Sequence, residues 1–152
     1  MSGRPLNILL VEDNPDHAEL VRRSLAHFQF HNLLHHVEDG EQALDFIFGR
    51  ASYADRLRFP APDLVLLDLR LPRMDGLEVL RHVKSHPTLH TTPVVVLTTS
   101  DAERDVAMAY EFHANSFVTK PVDHQRLFQL IKDLEIYWLA CNENPPPADA
   151  RT

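Results

Sequence analysis

The sequence has one cysteine, four glycines and no apolar segment long enough to span a membrane, and each shortage excludes a class of protein. A single cysteine cannot form an intramolecular disulfide, so nothing indicates an oxidising compartment. The glycines at positions 3, 40, 49 and 76 form neither a phosphate-binding loop nor a dinucleotide fingerprint. Without a signal peptide or a membrane segment, we expect a cytoplasmic protein with no membrane partner.

Basic residues are also few. The chain has 15 Lys and Arg against 22 Asp and Glu, which gives a formal net charge of -7 with histidine neutral. Binding nucleic acid needs a basic surface, so we expect no nucleic-acid partner. The 152 residues, 44% of them apolar, suit one domain with one core. We predict a single domain over residues 1–143, a disordered proline-rich tail over 144–152 and no output domain.

Short apolar runs alternate with segments of helical periodicity. The predicted strands are Leu6–Val11, Asn32–Val37, Leu64–Leu67, Pro93–Leu97 and Ser116–Thr119. The predicted helices begin near Pro15, Gly40, Gly76, Asp101 and Asp123, and the third extends to His86. This order predicts an α/β protein whose parallel sheet is covered on both faces. The polar connection from Gly49 to Pro62 is predicted to be a surface excursion.

Polar residues follow four of the predicted strands. Glu12 and Asp13 follow the first strand, Asp68 the third, Thr98 the fourth and Lys120 the fifth. The carboxyl ends of parallel strands share one edge of a sheet, so these five residues are expected to converge. In contrast, the tandem His35 and His36 in the second strand carry no functional signal.

The three acids indicate a metal site. Clustered carboxylates repel each other unless a cation lies between them, and Mg²⁺ prefers such oxygen ligands. With the charge offset, Asp68 is a candidate nucleophile towards phosphorus, as carboxylates are in aspartyl-phosphate chemistry. Lys120 offers a positive charge and Thr98 a hydroxyl to the oxygens of a phosphoryl group.

Several runs resemble the receiver domains of two-component response regulators. They are Val11-Glu12-Asp13-Asn14, Asp63 to Asp68 followed by Leu71 to Gly76, Pro93 to Thr98, and Lys120-Pro121. The resemblance covers about residues 5 to 140. It implies a flavodoxin-like, doubly wound sheet of five strands with five helices. It also implies phosphoryl transfer from a sensor histidine kinase, or a phosphotransfer protein, to Asp68.

The resemblance also implies roles for single residues. Asp13, Asp68 and the backbone carbonyl of Arg70 would bind Mg²⁺, with Glu12 acting mostly through water. Thr98 and Phe117 match the switch pair of the family, and Lys120 matches its phosphoryl-stabilising lysine. Arg70 and Ser100 occupy positions that tune phosphoryl lifetime. The Lys120-Pro121 peptide bond is a candidate cis bond.

Two departures from the family pattern stand out. Glu12 replaces the commoner aspartate of the acidic pair. His113 stands where glycine is usual, so the turn before the fifth strand is expected to be strained or reshaped. The long connection after the second helix and the extended last helix resemble the stand-alone regulators of bacterial and cyanobacterial phytochrome kinases. That likeness implies a homodimer built on helix four, strand five and helix five, and a bacteriophytochrome as the kinase.

Two other functions remain open on the sequence alone. One is a small phosphohydrolase with an aspartyl nucleophile, although such an enzyme favours a second acid two residues after the nucleophile, where Arg70 stands. The other is a receiver-like module that binds partners without phosphate, which the complete set of acids, Thr98 and Lys120 argues against. We therefore expect a phosphoacceptor signalling protein, with no enzymatic activity beyond its own phosphorylation and slow dephosphorylation.

Overall fold

The computed structural model describes residues 5–26, 32–98, 103–114 and 116–119, together with positions 125, 129, 132 and 133. Side chains are described for these residues except at 98, 103–105, 109 and 116–119. The strands are β1 (Leu6–Val11), β2 (Asn32–Val37), β3 (Leu64–Leu67), β4 (Val94–Thr98) and β5 (Ser116–Thr119). The helices are α1 (Pro15–Ala26), α2 (Gly40–Phe48), α3 (Gly76–Lys84) and α4 (Glu103–Glu111).

The five strands form one sheet in the order β2-β1-β3-β4-β5, and every pairing is parallel. The chain passes from β1 outward to β2 and then returns to the other side of β1 to place β3. The order therefore reverses between β1 and β3. Open α/β sheets bind ligands at the carboxyl ends of strands at such a reversal, so the acids after β1 and β3 lie where a site is expected.

Apolar side chains fill both faces of the sheet. Along β1, Leu9 and Val11 face α2 and α3, whereas Ile8 and Leu10 face α1. This alternation follows from the two-residue period of a strand. Residues 6 to 11 are all buried, which explains why every residue of β1 except Asn7 is apolar. The predicted parallel sheet with helices on both faces is confirmed.

The predicted boundaries agree with the structure to within two residues, and β4 covers Val94–Thr98 instead of the predicted Pro93–Leu97. Asn14 accepts the N–H groups of Asp16 and His17 and so caps α1, as its position before Pro15 predicts. Helix α3 ends at Lys84 rather than at the predicted His86. Pro87 disfavours helical geometry at the residue before it, so the helix ends two residues sooner.

The connection after α2, predicted to be a surface excursion, has regular structure and hydrogen bonds to the end of α2. It contains a 3₁₀ turn over Ala51–Tyr53. The Arg56 guanidinium donates to the carbonyls of Phe46 at 2.7 Å, Ile47 at 2.6 Å and Phe59 at 2.9 Å. Two of these carbonyls belong to the last turn of α2, where backbone oxygens have no partner within the helix. Arg56 thus fastens the connection to the helix end.

Part of the predicted fold lies outside the described residues. This applies to the fifth helix and the tail over 144–152. The single domain over 1–143 accordingly stays a prediction. Among the described residues, no helix combines the length and the apolar character needed to cross a membrane.

His35 lies on β2 beside an aromatic cluster. Its ring is 5.1 Å from that of Phe46 and 6.5 Å from that of Phe59, measured between centroids. Its Nε2 is buried and has no hydrogen-bond partner among the described residues. Burial lowers the pKa of His35 below its usual value of 6.5, because the imidazolium would lose hydration.

We predict that His35 makes the protein less stable in mild acid. Below about pH 6.5 the unfolded chain takes up a proton at this histidine more readily than the folded chain, so the free energy of unfolding falls as pH decreases. Urea unfolding at pH 7.5 and 5.5 measures the effect. The loss between the two pH values is expected to be smaller in His35→Phe than in the unchanged protein. An equal loss in both would contradict the prediction.

Candidate metal centre

Three carboxylates meet at the point where the strand order reverses. Glu12 and Asp13 follow β1, and Asp68 follows β3. One carboxylate oxygen from each lies within 4.8 Å of the others. Glu12 is 1% exposed and Asp68 6% exposed, whereas Asp13 is open to solvent. The structure therefore assembles the predicted acidic cluster, with two acids buried beneath one exposed acid.

Two hydrogen bonds position Asp68, one through its backbone N–H and one through its carboxylate. Its N–H donates to the carbonyl of Val11 at 3.0 Å, which continues the pairing of β1 with β3 by one residue. Its Oδ1 accepts the N–H of Arg70 at 2.9 Å. The first bond brings Asp68 next to the end of β1, and the second sets the direction of its carboxylate.

Glu12 is held in a comparable way from the other strand. Its N–H donates to the carbonyl of Val37 at 3.0 Å, which ties it to the end of β2. Its Oε2 accepts the N–H of Asn14 at 3.2 Å. The longer side chain thus turns back towards its own loop, and Asp13 takes the exposed position in the cluster.

The cluster has the chemistry of a hard-cation site. Negative charges held this close are unfavourable, and burying two of them adds a cost of desolvation. A divalent cation removes both costs, and carboxylate oxygens are the ligands that Mg²⁺ and Mn²⁺ accept. The spread of the oxygens matches a site in which some ligands bind directly and others through water. The residues present therefore fit a divalent metal.

Two glycines lie against the loop from Asp68 to α3, and neither has room for a side-chain carbon. A Cβ at Gly76 would overlap the carbonyl oxygen of Asp68 and the Cα of Leu69. A Cβ at Gly40, the first residue of α2, would overlap the backbone of Met74. The loop therefore lies directly against the first residue of α3 on one side and that of α2 on the other.

Arg73 adds a strained residue to this loop. Its φ is 68°, in the left-handed region that non-glycine residues seldom adopt. Its guanidinium lies 3.6 Å from Asp39 and 3.8 Å from Glu41, at the first turn of α2. Arg73 and Glu41 are exposed, whereas Asp39 is buried. An ion pair made by an exposed arginine contributes little individually. Together with Gly40, the two contacts align the loop with the start of α2.

Several predicted site residues fall outside the described part of the structure. They are the side chains of Thr98 and Phe117 and all of Ser100, Lys120 and Pro121. The backbone pairs Thr98 with Thr119 and Val96 with Phe117, so β4 and β5 end side by side. The arginine carbonyl predicted as a metal ligand, at Arg70, also stays a prediction.

The departure at His113 has the expected structural effect. His113 has a φ of 67°, the conformation that a glycine adopts at little cost. Its N–H donates to the carbonyl of Tyr110 at 3.0 Å at the end of α4. Of the two outcomes expected there, a strained or a reshaped turn, the positive φ of His113 corresponds to the strained one.

Sequence reasoning missed the residues that surround Glu12. His36 contacts the backbone carbonyl of Glu12, and His17 lies near its carboxylate. In the sequence, His36 stands beside His35, and no motif distinguishes one from the other. The only available signal was strand periodicity, which places adjacent residues of β2 on opposite faces.

Comparison with known families gives a match over most of the chain. The model of the response regulator receiver domain matches residues 8–132. A probable methanogenesis regulatory protein, FilR2 of Methanothrix harundinacea, is 41% identical over 95% of this chain and 90% of its own. Response regulator Rcp1 of a Synechocystis strain is 41% identical over 91% of this chain and 92% of its own.

Solved structures agree with the sequence relatives. The phosphorylated cyanobacterial phytochrome response regulator RcpA has a TM-score of 0.78 at 40% identity, covering 91% of this chain and 96% of its own. The Mn²⁺-bound form of Rcp1 has a TM-score of 0.77 at 41% identity, covering 89% and 95%. The flavodoxin-like fold predicted from the sequence is confirmed by these likenesses.

We predict that Gly76→Ala destabilises the protein although alanine favours helices. Helix propensity alone would stabilise α3 by about 1 kcal/mol. The overlap with the Asp68 carbonyl involves backbone atoms that cannot rotate away, so we expect a net loss of about 1–3 kcal/mol. Urea unfolding measures it. Glu78→Ala, on the exposed face of the same helix, is the control and should cost no more than about 0.5 kcal/mol. A stabilised Gly76→Ala protein would refute the packing argument.

Proposed function

This chain belongs to the response regulator receiver family, and from that membership we propose that it signals by accepting one phosphoryl group on Asp68 in the presence of Mg²⁺. The observation that carries the proposal is the position of Asp68. It is buried at the end of β3, aligned by the Arg70 N–H, and lies within 4.8 Å of two further carboxylates. This arrangement suits a carboxylate nucleophile beside a divalent cation.

The chemistry proposed for Asp68 is a single transfer. A carboxylate oxygen attacks the phosphorus of a phosphohistidine on the kinase, and an oxygen–phosphorus bond forms. The nitrogen–phosphorus bond breaks, its electron pair stays on the ring nitrogen, and a proton from solvent restores the neutral histidine of the kinase. Glu12, Asp13, Asp68 and the Arg70 carbonyl would hold the metal. Bound Mg²⁺ offsets the charge of the carboxylates and of the phosphoryl oxygens. The hydrogen bond from the Arg70 N–H to Oδ1 orients the Asp68 carboxylate before a phosphodonor binds. The buried carboxylate of Glu12 lies beside it.

The remaining roles rest on the matched motifs and on the backbone. Thr98 and Lys120 are proposed to bind the phosphoryl oxygens, with Phe117 following Thr98 as a switch. Arg70 and Ser100 are proposed to tune the lifetime of the phosphoryl group. The adjacent ends of β4 and β5 support the proximity of the Thr98 and Lys120 positions. The Lys120-Pro121 bond is proposed to be cis.

The partners proposed are a sensor histidine kinase and a second copy of this chain. The likeness to RcpA, a cyanobacterial phytochrome response regulator, supports a phytochrome as the kinase. The homodimer is proposed to use α4, β5 and the predicted fifth helix. A cytoplasmic location follows from that kinase partner. In this proposal the protein is a phosphoacceptor and does not turn over phosphate esters as an enzyme.

We predict that a small phosphodonor with Mg²⁺ labels the protein once, at Asp68. Intact mass before and after incubation should show one added phosphoryl group, and Asp68→Asn should abolish it because an amide is a far poorer nucleophile. Asp75→Asn, in the same loop, is the matched control, since asparagine also caps α3, and should be labelled normally. Labelling of a folded Asp68→Asn protein would refute the assignment, as would a native protein that stays unlabelled.

We predict that Asp13→Asn weakens Mg²⁺ binding at least tenfold, because it removes a ligand charge from the cluster. Isothermal titration calorimetry at fixed ionic strength measures the affinity. Asp16→Asn makes the same change of charge in the first turn of α1, outside the cluster, and should bind within about twofold of the unchanged protein. Equal effects of the two substitutions would indicate general charge attraction rather than a metal site.

A further inference from the structure

Glu12 is held at its N–H, its carbonyl and its carboxylate. The N–H donates to Val37, and the carbonyl oxygen lies 2.7 Å from Nε2 of His36. Oε2 accepts the N–H of Asn14, and Oε1 lies 4.0 Å from Nδ1 of His17. The residue is 1% exposed. This number of contacts leaves Glu12 little freedom to rotate.

The contact with His36 has a defined polarity. A carbonyl oxygen can only accept a hydrogen bond, so Nε2 of His36 must carry the hydrogen and donate. The carbonyl involved belongs to the peptide group that joins Glu12 to Asp13. Because a peptide group is planar, a bond to its oxygen restrains the plane from which both acidic residues project.

The contact arises from strand register. Leu10 pairs with His36 and Val11 with Val37, so β1 and β2 end together. The chain of β1 then continues to Glu12 across the end of β2, within reach of the His36 ring. His35 is adjacent in the sequence, but its ring lies on the other side, against Phe46 and Phe59. Two neighbouring histidines therefore have different surroundings.

The contact would matter most at Asp13. This acid is exposed, and among the described residues no hydrogen bond holds its carboxylate as the Arg70 N–H holds that of Asp68. The direction of the Asp13 carboxylate therefore depends on the orientation of the Asp13 backbone. A restrained Glu12–Asp13 peptide group therefore places Asp13 at the cluster before a cation arrives.

We propose that His36 is a positioning residue of the metal centre, which holds the Glu12–Asp13 peptide group in the orientation that binds a divalent cation. The inference rests on the proposed function, since it assumes that the acidic cluster binds a metal. His36 touches neither metal nor phosphoryl group and acts through Glu12. Removing a partner that orients metal ligands commonly lowers metal affinity 10–100-fold.

The experiment compares substitutions at His36 that differ in one hydrogen bond. His36→Phe keeps a ring but removes the donor, and His36→Gln places an amide N–H close to the position of Nε2. His35→Phe is the matched control on the same strand. The probe is Mn²⁺, and its binding is read by electron paramagnetic resonance from the loss of the free-ion signal. Urea unfolding shows that each variant is folded.

We expect His36→Phe to bind Mn²⁺ about tenfold more weakly, His36→Gln to recover most of the affinity, and His35→Phe to match the unchanged protein. If His36→Phe does not fold, His36→Asn replaces it, because its shorter amide cannot reach the carbonyl of Glu12.

Three results would overturn the proposal: unchanged affinity in His36→Phe, no recovery in His36→Gln, or an equal loss in His35→Phe. Failure of the unchanged protein to bind Mn²⁺ is a different result. It would refute the proposed function and the role of His36 with it, whereas normal binding by His36→Phe would refute the role of His36 alone.

Discussion

The hydrogen bond from the Asp68 N–H to the Val11 carbonyl is the contact on which the site depends. It extends the pairing of β1 with β3 one residue beyond the strands and so brings Asp68 beside Glu12 and Asp13. Three carboxylates then lie within 4.8 Å, two of them buried. The folded chain bears the resulting repulsion because both faces of β1 and β3 are packed with apolar side chains. A bound cation would convert that repulsion into affinity.

Close backbone packing then makes the arrangement rigid. Gly76 and Gly40 let the loop after Asp68 lie directly on the first residues of α3 and α2, and Arg73 adopts a left-handed conformation between them. A loop fastened in this way can transmit a change at Asp68 to the helices, since packed interfaces shift between discrete arrangements rather than bending continuously. The local geometry thus suits the fixed nucleophile that we propose at Asp68.

Membership of the family accounts for the fold, whereas the chemistry of the site depends on the acids at the ends of β1 and β3. A flavodoxin-like sheet carries many unrelated functions, so the fold itself does not identify the chemistry. What identifies it here is a strand-terminal aspartate beside two more acids at the reversal of strand order. Glu12 in place of an aspartate is part of a local arrangement with Asn14, His17 and His36. That arrangement gives the longer side chain a defined position, which a free glutamate at the surface would lack.

The sequence by itself determined the order and type of the elements, because period-2 and period-3.6 patterns are local and strong. β1, β2, β3 and β5 begin and end at the predicted residues, and the acids after β1 and β3 were identified from their position alone. It did not determine where α3 ends, how Arg56 fastens the connection after α2, or which of His35 and His36 contacts Glu12. The end of α3 reflects the local effect of Pro87, whose exact reach the helical pattern does not define. The contacts of Arg56 and His36 join residues up to 24 positions apart, and only the folded chain brings such partners together.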